Sequence, residues 1–274
     1  GIFPAFYKDG YAHAITEYMD FPFILPDKKV NFSQHNISAG MNLLSYNKQM
    51  KASSSLGVHQ AKMATDEDIR TWWSAASGKR GEWLQMDLSK PMELSALQIS
   101  FSDEGFKTYR HDKNVPIYQY IVEGSLNGTD WQLLADRSQN TKDQIYELIV
   151  LDKKIKNQFV RIKNTKDFAT GYFSIADIRL FGNAKGKVPK QVSNFIVERN
   201  KDRRRIAFTW DKQPSAEGYV IRWGASPEHI DNAIMMYDNQ AELGFFDRDI
   251  TYYMTIEAFN ESGKSKSSTP IKIN

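Results

Sequence analysis

Cysteine is absent from the 274 residues. No disulfide framework or thiolate metal site is therefore available, and the redox compartment stays open. No run of 18 apolar residues occurs, which removes a membrane-spanning helix. Charge of one sign is also scarce. The 36 basic and 33 acidic side chains are interspersed and leave a formal net charge of +3, unlike the concentrated basic surface of a nucleic-acid binder. The signatures G-x-S-x-G, H-E-x-x-H and G-x-G-x-x-G are missing, and with them the hydrolase elbow, the zincin helix and the dinucleotide turn. No secretory leader is visible, but the chain opens in mid-pattern, so that absence excludes nothing.

What is present is ample core-forming material, 41% hydrophobic and 13% aromatic, in a length that suggests about two domains. The chain is organised around residues 63–89. Asp66 and Asp68 precede Thr71-Trp72-Trp73, a Gly-bearing turn follows at Gly78-Lys79-Arg80-Gly81, and residues 82–88 alternate with period two. That alternation predicts a strand with one buried face. The loop before it spaces oxygen-bearing groups as a wrapped metal loop would, or as an ordinary hydrated acidic loop.

Further alternating runs lie at 93–101, 118–125, 131–134, 145–151, 159–163 and 175–181, with Asn127-Gly128 as a turn. They predict a β-sandwich of about eight strands. A polar connection at 102–116 has no strand pattern, and a loop of that length is commonly functional or mobile. Residues 183–190, NAKGKVPK, read as a linker. Residues 182–187 mimic a phosphate loop, but the spacing is one residue short and Val188 replaces the magnesium-binding Ser or Thr. Beyond it, residues 205–210, 219–223 and 252–260 predict a second all-β unit. The run Arg203-Arg204-Arg205 reads as a solvated strand start.

Five segments in order carry a family resemblance: Asn42-Leu43-Leu44 through Ala52-Ser53-Ser54, then residues 64–73, Trp83-Leu84-Gln85-Met86-Asp87-Leu88, Gln158-Phe159-Val160-Arg161-Ile162, and residues 176–182. This resembles the discoidin, or coagulation-factor type C, family, which includes many family 32 carbohydrate-binding modules. Glu67 stands where that family usually has Gly, and Asp177 where it usually has Glu. Residues 192–274 resemble a fibronectin type III domain, with Trp210 as core Trp and Tyr252 as tyrosine-corner residue. Residues 1–26, with Lys8-Asp9-Gly10 between aromatic-rich runs, predict a hairpin. They resemble the end of a glycoside hydrolase family 43 propeller, and an aromatic edge hairpin of the sandwich is the alternative.

The resemblances imply an all-β fold: a discoidin-type jelly-roll β-sandwich plus a fibronectin type III (Ig-like) β-sandwich. The expected limits are 1–30 for the extension, 31–183, a linker at 184–190, and 191–274. They also imply a structural calcium held by the Met63 carbonyl, Asp66, Asp68, Thr71, the Ala176 carbonyl and Asp177. Three carboxylates so close would repel without a cation. For a glycan, the expected contacts are Tyr109, Arg110, His111, Trp72, His59 and Tyr172, offering ring faces and polar groups. Galactose-binding members carry a His soon after the Trp-Ser pair, and Trp73-Ser74-Ala75-Ala76 has none.

The resulting expectation is a non-catalytic carbohydrate-targeting module with a fibronectin spacer. It would belong to a secreted, periplasmic or cell-surface bacterial glycosidase, a family 43-like xylosidase or arabinofuranosidase with its catalytic domain upstream. Within the chain, neighbours such as Asp103-Glu104 cannot flank a glycosidic bond. Adhesion to protein or lipid, with Phe106, Phe168 and Phe173 as exposed spikes, is the alternative, as is a buttress for the catalytic domain.

Overall fold

In the computed structural model, β1 (Ala5–Lys8) and β2 (Tyr11–Ala14) pair antiparallel with Lys8 opposite Tyr11. The intervening pair is Asp9-Gly10, the two-residue spacing that Asp-Gly favours. The structure describes the backbone of these two strands and residues 41–106, 116–230 and 232–274. Two units are distinguished, Leu43–Lys185 and a second formed by Gly186–Asn274 with the first 42 residues.

The first unit carries β3 (Asn42–Leu43), β4 (Gln49–Ala52), β5 (Trp73–Ser74), β6 (Trp83–Phe101), β7 (Tyr120–Ser125), β8 (Gln132–Asp136), β9 (Tyr146–Asn164) and β10 (Ser174–Asn183). Their order is β3-β10-β6-β9-β7-β8, with β4 beside β6 and β5 beside β10. The period-two expectation holds: Leu84, Met86 and Leu88 are buried while Gln85 and Asp87 are half-buried. Each such core side chain contributes about 1.5–3 kcal/mol.

The chain departs from expectation in continuity. The runs at 82–88 and 93–101 join into the 19-residue β6, and those at 145–151 and 159–163 into the 19-residue β9. A straight strand of that length would span roughly 60 Å, too long for a domain of this size, so each must bend. The ladder between them breaks register between Asp87 and Met92 and again between Leu94 and Ala96. Ser89, in the left-handed region at φ 68°, marks the first break. The residues between those runs are therefore bends inside continuous strands.

The core gathers Trp73, Leu97, Ile99, Tyr118, Tyr120, Phe173, Ile175 and Leu180. Phe173 is thus fully buried, which removes it as a lipid-facing spike.

The second unit contains β11 (Ile196–Arg199), β12 (Ile206–Thr209), β13 (Gly218–Gly224), β14 (Asn232–Met236), β15 (Gln240–Leu243), β16 (Tyr252–Asn260), β17 (Gly263–Lys264) and β18 (Ile271–Ile273). One sheet is β11-β12-β15; the other is β14-β13-β16-β17 with β18 on β16. Trp210 is buried, with Tyr219 edge-on at 5.2 Å. The Tyr252 hydroxyl accepts the Asp247 N–H at 3.1 Å. The arginine run is solvated and ion-paired, Arg204 to Asp202 and Arg205 to Glu242. Among the described residues no helix is long and apolar enough to cross a membrane.

Candidate functional site

A 3-10 helix at Ala61–Ala64 delivers the chain into the acidic loop. Two successive Asx turns shape it. Asp66 Oδ1 accepts the Asp68 N–H at 3.0 Å, and Asp68 Oδ1 accepts the Arg70 N–H at 3.0 Å, the self-capping that short carboxylates favour. Glu67 between them lies at φ 61°, a region L-residues avoid, which accounts for the Gly expected there. Thr71 Oγ1 then stands 2.8 Å from Asp66 Oδ2, 3.0 Å from the Asp68 carbonyl and 3.4 Å from the Met63 carbonyl. Three acceptors around one hydroxyl proton form a ring of hard oxygen donors.

Asp68 enters this ring through its carbonyl. Its carboxylate is turned outward onto the Arg70 guanidinium at 2.7 and 2.8 Å, whose hydrogen bond holds it at about 2. Among the described residues no three acidic or histidine side chains gather as metal ligands, so the expected trio of carboxylates is not assembled.

Opposite the loop, β10 skips a residue against β6 between Ile175 and Asp177. Ala176 is the extra residue, and a bulge of this kind re-aims the next side chain. Asp177 is 3% exposed. Its Oδ2 meets Arg179 at 3.0 Å, and Arg179 also grips Glu67 at 2.9 Å. Oδ1 of Asp177 is buried with no hydrogen-bond partner. Burial raises this carboxyl above the usual range; Arg179 pulls it back, and Glu67 and Asp66 push it up further. An orphaned buried carboxylate oxygen within electrostatic reach of Asp66 is the kind of donor a hard cation takes.

The expected glycan contacts fall in separate places. His59 stacks on Trp72 at 4.4 Å with 20° between planes, so each ring already covers one face of the other. Trp73 is core, its indole donating to the Ser54 carbonyl at 3.0 Å. In the β5–β10 register Ser74 faces Ser174 and Trp73 faces Ile175. Trp72 and Tyr172 therefore leave opposite ends of that pairing, and the structure does not bring them together. Tyr109, Arg110 and His111 lie outside the described residues.

Tyr172 instead joins a rim that sequence reasoning reached only in part. A Cβ on Gly105 would stand 2.7 Å from the Tyr172 ring, and one on Gly171 would stand 2.6 Å from the Phe106 ring. Both glycines have positive φ, 71° and 80°, so each loop seats an aromatic ring on the other's glycine. Phe106 meets Phe168 edge to face at 5.1 Å, Phe168 meets Tyr118 at 5.6 Å, and Tyr118 stacks on Phe101 at 4.0 Å. The aromatic chain thus runs from core to surface. It borders a cleft of about 280 Å³ lined by Phe106, Pro116, Lys166, Asp167, Phe168 and Thr170. Lys166, Asp167 and Thr170 gave no sequence signal beyond the glycine and aromatic residues that follow them.

A second missed feature fixes the same end of the sandwich. The Glu82 carboxylate accepts hydroxyls from Ser53, from Ser54 at 2.8 Å and from Ser77 at 2.6 Å. One side chain thereby ties three segments together.

Residues 49–178 match the F5/8 type C domain family. No curated protein matches the chain. Among solved structures, the chain is similar to the family 32 carbohydrate-binding module of Clostridium perfringens NanJ in complex with galactose (19% identity, 52% of this chain, 98% of that one, TM-score 0.42). It is also similar to chitosan-binding module 1 of a Paenibacillus chitosanase/glucanase (21% identity, 52% and 99%, TM-score 0.43). A third is the C. perfringens module CpGH89CBM32-4 in complex with GlcNAc-α-1,4-galactose (21% identity, 53% and 96%, TM-score 0.43).

Proposed function

We propose that residues 43–185 act as a non-catalytic glycan-binding module that holds a polysaccharide-degrading enzyme on its substrate. The rim cleft carries this reading. Phe106 and Phe168 offer apolar ring surface to the C–H face of a sugar, and Lys166, Asp167 and Thr170 stand beside them for its hydroxyls. A few convergent polar groups around an apolar concavity are what small-ligand sites need. The F5/8 type C match over 49–178 supports the same reading.

In this proposal the loop at 63–71 holds a structural calcium through the Met63 and Asp68 carbonyls, Asp66 and Thr71, with the Ala176 carbonyl and Asp177 closing the shell. Bound there, the cation would neutralise Asp66 and Asp177. The chain's own residues do the positioning: Thr71 gathers the loop oxygens, and Arg179 occupies Oδ2 of Asp177, leaving Oδ1 for the ion. Residues 191–274 serve as a fibronectin type III spacer, on the buried Trp210 and the Tyr252 hydroxyl bond. The parent is a secreted bacterial glycosidase of family 43 type, its catalytic domain preceding this chain.

A glycan array probed with the full chain tests the central claim. We expect selective binding of modest affinity, because a shallow rim buries little of a small ligand. Phe168→Ala should weaken it by about fivefold to tenfold, the loss of one aromatic contact. An array with no bound glycan, or binding that Phe168→Ala leaves intact, would sink the proposal. One observation favours docking to a protein instead: Tyr146, Leu148 and Val150 are exposed in a row on β9.

A further inference from the structure

A second cleft, of about 470 Å³, opens on the first unit next to the aromatic rim, which it adjoins through the consecutive Thr165 and Lys166, and is lined by Arg80, Gln119, Ile121, Gln139, Lys163 and Thr165 among others. It lies where β6, β9 and β7 run side by side. Trp83 faces Lys163, and Lys163 faces Ile121. The next residues along, Leu84, Ile162 and Val122, are buried, so the row Trp83–Lys163–Ile121 points away from the core. Its volume is in the range that holds small ligands.

The charge of this cleft is one-sided. Two cationic side chains line it and no carboxylate does. Two acids stand at its border, each with one oxygen on the main chain: Asp167 accepts the Arg80 N–H at 2.9 Å, and Asp136 accepts the Ser138 N–H at 2.8 Å. The remaining lining is amide and hydroxyl. Gln119 is held in place by donating to the Asn140 carbonyl at 2.9 Å. The Thr165 hydroxyl is buried and has no hydrogen-bond partner. Gly81, at φ 96° with open space where a side chain would stand, keeps the mouth clear. Two lining cations, amides, a spare hydroxyl and an adjacent half-buried indole suit a polyhydroxylated ligand bearing a carboxylate.

We propose that this cleft is a separate subsite for acidic saccharides, binding a uronate residue with Arg80 and Lys163 on its carboxylate. The inference rests on the glycan-binding reading above and adds a ligand class and a location to it.

The test compares tetragalacturonate with its fully methyl-esterified form, titrated calorimetrically into the full chain and into R80Q/K163Q. The ester keeps the rings and removes only the charge. We expect the native chain to bind the acid about tenfold more tightly than the ester, the scale of one charge-assisted hydrogen bond. That preference should shrink with added salt and vanish in R80Q/K163Q, with the melting temperature unchanged. T165V, which keeps both cations, should weaken acid and ester alike. Equal affinity for the two forms, or an acid preference that survives in R80Q/K163Q, overturns the subsite while leaving rim binding of neutral glycans standing. No binding of either form overturns it as well, and an array without any bound glycan overturns the function it rests on.

Discussion

Asp177 is the residue on which the acidic loop turns. Its carboxylate is buried, one oxygen is held by Arg179 and the other has no partner. A buried polar atom left so costs free energy that a cation would recover. Calcium at a hundredfold its Kd should add about 2.7 kcal/mol to the first unit. Asp177→Asn removes that charge while Arg179 keeps its grip on Glu67. The variant should therefore melt no lower than the native chain in chelator and gain nothing from calcium. An equal calcium-dependent rise in both proteins would refute the assignment.

Single elements here are held by contacts far apart in sequence. Glu82, at the start of β6, binds hydroxyls from Ser53, Ser54 and Ser77. Glu82→Ala strands all three and should cost about 3 kcal/mol, since hydrogen bonds to a charged group are worth about 1.5–3 kcal/mol each and the hydroxyls regain water in part. Denaturant unfolding followed by tryptophan fluorescence reads this directly; an unchanged midpoint would mean the serines are not held by Glu82. The N-terminal half of β9 presents a different matter. Its residues from Tyr146 to Val150 pair with β6 on one side and, among the described residues, with no strand on the other. Tyr146, Leu148 and Val150 are 55%, 46% and 61% exposed. Exposed apolar side chains on an unpaired strand edge invite strand-to-strand association. Leu148→Lys should suppress self-association in sedimentation runs at high concentration, with stability within about 0.5 kcal/mol of native. A native chain that stays monomeric there would count against this.

The two units are built on hydrophobic clusters that share no residue, so two thermal transitions are expected. Chelator should lower only the one belonging to residues 43–185. Tyr252→Phe removes the hydroxyl that accepts the Asp247 N–H and should lower only the other, by about 1 kcal/mol. A single transition moved by both treatments would show one cooperative body instead. The chain should also turn over no aryl xyloside or arabinoside; hydrolysis abolished by mutating an acid within 31–182 would overturn its non-catalytic reading.

The sequence by itself determined the all-β class and the alternation at 82–88, because period-two burial is a local property written residue by residue. It also placed Trp210 and Tyr252 and marked the acidic loop. Only the tertiary structure decided the rest. Whether Asp68 offers its carboxylate or its carbonyl depends on where Arg70 folds back. Whether Asp177 points inward depends on a bulge in the ladder between β10 and β6. His59 finding Trp72, Glu82 finding Ser53 and Ser54, and the glycines of one loop seating the rings of another are pairings between residues well apart in the chain. The cleft at Arg80 and Lys163 likewise draws on four separated segments. Contacts of that kind follow from strand register and bends, which no local pattern in the chain encodes.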